Sequence, residues 1–119
     1  MRFMSFSMTT EAFKRREKTV TRRLGWWNLK PGELLQGVEQ AQGLRKGEHV
    51  KRLHAIRVTD VRQEPLYELP AHGPDECARE GFPELTPAEF VEMFCKANRC
   101  GPGATVNRIE FEYVDAAPC

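Results

Sequence analysis

Eight prolines and nine glycines are scattered through 119 residues. That punctuation limits the chain to short elements joined by turns. Proline fixes φ and lacks an N–H, and glycine accepts positive φ that other residues avoid. A chain of this length supports one hydrophobic core, so residues 1–119 are read as a single domain.

Within that frame Phe3 to Ser7 alternates apolar and small polar residues, as a half-buried strand does. Thr10 offers an N-cap to a helix of about two turns through Arg16. Leu29-Lys30-Pro31-Gly32-Glu33 reads as a turn into a strand at Leu34 to Val38. Gly43 to Glu48 reads as a polar hairpin loop, and His54 to Val61 as a strand rich in β-branched residues. Gln63 to Pro74 is expected to be loop because Pro65, Pro70 and Pro74 interrupt it, and a short helix is placed at Asp75 to Arg79. Thr86-Pro87-Ala88-Glu89 carries a complete helix start: a capping threonine, proline in the first turn, and glutamate closing a capping box. Phe90, Val91, Phe94 and Ala97 come next at helical spacing, and Val106 to Val114 alternates as a final strand. About five short strands with two or three helices predict an α+β domain around a small curled sheet or barrel.

The charge is distributed unevenly. Residues 1–59 hold 13 Lys/Arg against 5 Asp/Glu, and residues 60–119 hold 5 against 12. A basic patch suited to phosphate or nucleic acid is compatible with that split. The densest polar chemistry is Lys18-Thr19-Val20-Thr21-Arg22-Arg23, succeeded at once by Gly25-Trp26-Trp27. As a regular strand this segment sends Lys18, Val20 and Arg22 one way and Thr19, Thr21 and Arg23 the other. A bend at Thr19 to Thr21 instead converges Lys18, Thr21 and Arg23 on one pocket.

Cys77, Cys95, Cys100 and Cys119 contain no close C-x₂-C pair, so they read as reduced, partly buried thiols, and no metal or cofactor is expected. His49, His54 and His72 have no recognisable catalytic partner in sequence. The amino terminus has no apolar run long enough for a signal peptide, and no segment approaches the roughly 18 apolar residues of a membrane span. The expectation is a cytoplasmic protein without membrane partners.

The order of these features resembles the ASCH domain of the PUA-like superfamily, in particular the short ASCH proteins of phages and bacteria. The features are an amino-terminal strand and helix, the Lys18 to Arg23 segment, a Pro-Gly-Glu-Leu turn, Glu80 ahead of the Thr86 helix, and an Ile109-Glu110-Phe111 strand. In the signature Gly-x-Lys-x₄-Arg, Lys18 and Arg23 match, whereas Arg16 stands at the glycine. The resemblance implies a small mixed β-barrel whose cleft is lined by this motif, acting on RNA or nucleotides. One branch is similar to amidohydrolases that remove the acetyl group from 4-acetylcytidine with a lysine, a threonine and a glutamate. Carried over, these become Lys18, Thr21 and Glu80; Arg16, Thr19, Arg22, Arg23, Trp26 and Trp27 are the candidate substrate or nucleic-acid contacts.

Amide cleavage needs a nucleophile, a base and an acid for the leaving amine. An ordinary lysine, at about 10.4, is some three units above a useful base. Burial or a neighbouring arginine lowers it and pairing with Glu80 raises it, so Lys18 is read either as base or as a charged oxyanion partner. Three functions are compatible with these residues: an amidohydrolase acting on an acylated nucleoside, a non-catalytic module for RNA or single-stranded nucleic acid, and a ribonuclease. The plainer alternative pairs Arg22 and Arg23 with acids of the second half and leaves Lys18 and Glu80 solvated. In that reading Thr21 is a strand residue and one tryptophan packs in the core.

Overall fold

A computed structural model describes residues 1–40 and 47–114. Most of the hairpin loop expected at Gly43 to Glu48, and Cys119, lie outside the described residues. Five strands, β1 (Arg2–Ser5), β2 (Val20–Arg23), β3 (Leu34–Val38), β4 (Arg52–Pro65) and β5 (Thr105–Val114), form one sheet in the order β1-β3-β4-β5-β2. The β1–β3 pair is parallel and the other three pairs are antiparallel. A register shift between Val58 and Asp60 breaks the long β4–β5 ladder, and such a bulge increases local twist. The sheet curls into a half-barrel, which gives the expected α+β architecture. Three short helices join it: α1 (Thr10–Lys14), α2 (Glu76–Arg79) and α3 (Pro87–Asn98). No helix among the described residues is long and apolar enough to cross a membrane.

The apolar residues divide into two clusters. Met4, Phe6, Phe13, Leu35, Ile56, Val58, Ile109 and Phe111 fill the curl of the sheet, with the Phe6 and Phe13 rings stacked at 4.0 Å. At Gly37 on β3 an added Cβ would stand 2.5 Å from Phe13 Cζ, so that ring packs directly on bare backbone. Leu66, Leu69, Cys77, Phe90, Phe94 and Val106 form the second cluster, beneath α3. The capping box at α3 is complete: Glu89 N–H donates to Thr86 Oγ1 at 3.2 Å, and Thr86 N–H donates to Glu89 Oε1 at 2.9 Å.

Four local expectations are corrected. Helix α1 is capped at Thr9 rather than Thr10, whose hydroxyl donates to the Phe6 carbonyl at 2.8 Å. The helix also ends earlier than expected, because Arg16 takes φ +60°. Strand β4 runs on to Pro65, beyond Val61, held by β5 as far as the Pro65–Thr105 pair. Beyond the strand, Leu66–His72 is a 3₁₀ helix rather than a loop, with Leu66 and Leu69 buried and Pro70 accommodated within it.

Candidate active site

The site grows out of where β2 begins. Lys18 precedes the strand, and its neighbour Thr19 is fixed from both sides. Thr19 N–H donates to the Arg79 carbonyl of α2 at 2.8 Å, and its carbonyl accepts from Phe111 N–H at 3.0 Å. Regular alternation starts only at Val20. Lys18, Thr21, Arg22 and Arg23 all line one pocket.

That pocket holds about 180 Å³ and opens between the two apolar clusters. Phe6 comes from one cluster and Phe90 and Phe94 from the other, with Phe82 and Met93 beside them. Lys18, Thr21, Arg23 and Glu80 provide its polar wall. One side of the cavity is thus apolar and the other concentrates charge.

Lys18 is 2% exposed. Its Nζ donates to the main-chain carbonyl of Glu80 and, at 3.1 Å, to Glu80 Oε1. Burial pushes the lysine below its ordinary value; Glu80 opposes the shift, and the charges of Arg23 and Arg22 add to it. Thr21 is also buried, and its Oγ1 accepts a 3.0 Å hydrogen bond from Arg23 Nε. Arg23 Nη2 donates to the Ser5 carbonyl on β1 at 2.7 Å. Burial, opposed by Glu80, lowers this guanidinium to about 10, so it stays charged at neutral pH.

Behind the polar wall lies a buried ion network. Arg22 and Arg108 are cross-strand partners on β2 and β5, so both side chains leave the same face of the sheet, toward α2. Glu76 and Glu80 stand four residues apart, one helical turn, and meet them. Glu80 Oε2 accepts from Arg22 Nη1 at 2.9 Å, completing a bridge from Lys18 through Glu80 to Arg22. Glu76 Oε2 accepts from Arg22 Nη2 at 2.6 Å and Arg108 Nε at 2.7 Å. Burial alone would raise Glu76, but the Arg108 and Arg22 guanidinium groups outweigh it and hold the carboxyl down at about 2. Glu64, on the β4 extension, adds a 3.7 Å ion pair to Arg22 and a 2.9 Å contact to His72 Nε2.

Lys18, Thr21, Glu80, Arg22 and Arg23 are therefore brought together, whereas four of the expected contact residues lie elsewhere. Arg16 is exposed, with its guanidinium 5.9 Å from the centre of the Tyr113 ring. Thr19 is tied into the α2–β5 contacts. Trp26 packs partly buried against the sheet core under Arg2, and Trp27 is 48% exposed. Neither tryptophan lines the pocket. Arg22 also lines the pocket, but its side chain has no exposed surface and faces Glu80, Glu76 and Glu64. Sequence reasoning missed Glu76, Arg108, Glu64 and the phenylalanine wall. The spacing of Glu76 and Glu80 was the available signal. Among the described residues, no group of three or more His, Cys, Asp and Glu is arranged to hold a metal ion.

No protein-family profile and no curated protein matches the sequence. Solved structures do match. A protein from Enterococcus faecalis V583 of the family DUF984 superposes with a TM-score of 0.61 at 18% identity, over 97% of this chain and 77% of its own. The hypothetical protein PH0355 gives 0.62 at 16%, over 96% and 100%. An ASCH domain from Lactobacillus crispatus JV V101 gives 0.55 at 14%, over 94% and 79%. The fold is of the ASCH type.

Proposed function

We propose that this protein is an amidohydrolase that removes an acyl group from the exocyclic amine of a modified nucleoside such as 4-acetylcytidine. The observation that carries the proposal is the sharing of one small pocket by Lys18, Thr21 and Glu80, with burial lowering the lysine. About 180 Å³ is below the 300–1,000 Å³ of pockets that take drug-sized ligands, and it suits a base-sized group rather than a polynucleotide. The Phe82, Phe90 and Phe94 side offers a planar ring an apolar surface, leaving the acyl group to the polar side.

In this reading Thr21 Oγ1 attacks the acyl carbon and its proton passes to Lys18 Nζ, whose lowered pKa suits it to accept. Arg23, already donating to Thr21 Oγ1, eases loss of the hydroxyl proton, and its charge stabilises the oxyanion that develops on the acyl oxygen. Lys18 returns the proton to the departing amine as the carbon–nitrogen bond breaks. Water then hydrolyses the Thr21 ester, releasing the carboxylic acid. Glu80 orients Lys18, and Arg22 fixes Glu80 from behind.

The nucleic-acid module gains less support. One of its candidate contacts, Arg22, is occupied internally by Glu64, Glu76 and Glu80. The test is incubation of wild type, Lys18→Ala and Thr21→Val with 4-acetylcytidine, tracking cytidine by chromatography. Cytidine from wild type alone, with both variants folded by circular dichroism, is the expected result. Equal turnover by folded Lys18→Ala would overturn the proposal, and so would no turnover by wild type.

A further inference from the structure

Helix α3 ends in a turn that brings two cysteines together. Arg99 caps it in the left-handed conformation, φ 53° and ψ 51°, and Cys100 N–H donates to the Cys95 carbonyl at 3.1 Å. This six-to-one bond after a left-handed residue is a Schellman turn, in which the side chains of the bonded residues meet. Apolar residues ordinarily make that contact. Here both positions are cysteine, and both side chains pack against the apolar cluster beneath α3. Both are free and only partly buried, unlike Cys77. Cys95 also lines a shallow apolar surface groove with Tyr67, Val91 and Pro102, so small reagents reach it from solvent.

We infer that Cys95 and Cys100 form a reversible intramolecular disulfide, a redox-modification site at the carboxyl end of α3. With a peroxide as oxidant, one thiolate attacks a peroxide oxygen to give a sulfenic acid, and the O–O bond breaks with release of water or an alcohol. The second thiol attacks the sulfenic sulfur, the S–S bond forms and water leaves. Two thiols lose two electrons and two protons to the peroxide. Burial and the Cys100 side chain raise the Cys95 thiol, so the reaction quickens with rising pH.

The bond has a structural consequence. Residues 101–104 connect this turn to β5, and the carbonyls of Pro102 and Ala104 accept from Tyr67 and Leu66 N–H at 3.0 and 2.9 Å. A Cys95–Cys100 disulfide therefore closes the turn that leads from the end of α3 into this anchored segment. Ala97 and Asn98, in the last turn of α3, line the pocket, so the same bond stiffens its rim.

The test treats reduced full-length protein with hydrogen peroxide, alkylates remaining thiols under denaturing conditions and maps peptides without reduction. A monomer is expected in which Cys95 and Cys100 escape alkylation together in one cross-linked species. Cys77 remains alkylated, and dithiothreitol restores both thiols. Amide exchange at residues 97–104 should slow on oxidation. In Cys100→Ser, Cys95 should stop at a sulfenic acid trapped by dimedone. Full alkylation of both thiols, links to Cys77 or Cys119, or only intermolecular dimers would each overturn the assignment. None of these readouts uses catalytic turnover, so the result is independent of the proposed reaction.

Discussion

Replacing Glu76 with glutamine tests the buried network directly. The side chain is 0% exposed and receives hydrogen bonds from Arg22, Arg108 and Arg79. Its carboxyl sits at about 2 in the folded protein against 4.5 ordinarily. At 1.36 kcal/mol for each tenfold change, that difference corresponds to about 3 kcal/mol of folded-state stability. Because the folded carboxyl is the more acidic one, the contribution is complete above pH 4.5 and is lost as pH falls toward 2. Glu76→Gln keeps the shape, removes the charge and leaves two buried guanidinium groups facing an amide. In urea unfolding at pH 7 the variant should be less stable by about 3 kcal/mol, a large part of the roughly 5–15 kcal/mol that holds a domain together. At pH 3 linkage reduces the gap to about 1.5 kcal/mol. The exposed Glu84→Gln should be nearly neutral at both pH values. A Glu76→Gln gap that is equal at pH 7 and pH 3, or below about 1 kcal/mol at pH 7, would refute the reasoning.

Two further outcomes are expected from single contacts. Gly37→Ala drives a Cβ into the Phe13 ring and to 2.9 Å from the His54 carbonyl, and should cost about 1–3 kcal/mol in the same urea assay. Arg23→Lys cannot donate to both Thr21 and the Ser5 carbonyl from one rigid fork, so turnover of 4-acetylcytidine should fall about 100-fold with little change in melting temperature.

Elements with strong local signals were legible in the sequence. The capping box marked α3, and alternation through Ile109, Phe111 and Tyr113 marked β5. The extension of β4 was not, because Gln63 and Glu64 read as a polar loop before proline. Glu64 is polar because it faces Arg22 in the interior, and only the completed fold reveals that partner. The 3₁₀ helix was hidden by Pro70. At the site, the motif led to Lys18, Thr21 and Arg23, and the resemblance led to Glu80. The uneven charge along the chain has an internal explanation as well: basic Lys18 and Arg22 of the first half meet acidic Glu64, Glu76 and Glu80 of the second inside the protein. Arg16 departs from the signature glycine in identity and yet adopts φ +60°, the backbone region glycine favours.

The strand order carries a consequence for how the chain is made. Strands β1 and β2 lie within the first 23 residues yet occupy opposite edges of the sheet. The partner of β2 is β5, whose pairing residues Asn107 to Glu110 are synthesised long after β2 itself. The pocket residues of β2 are thus synthesised early and docked late, after roughly 85 residues of intervening chain have closed a loop whose entropy cost grows with its length. A chain shortened before residue 105 can still pair β1, β3 and β4, but it has no β5 to receive β2 and builds no pocket.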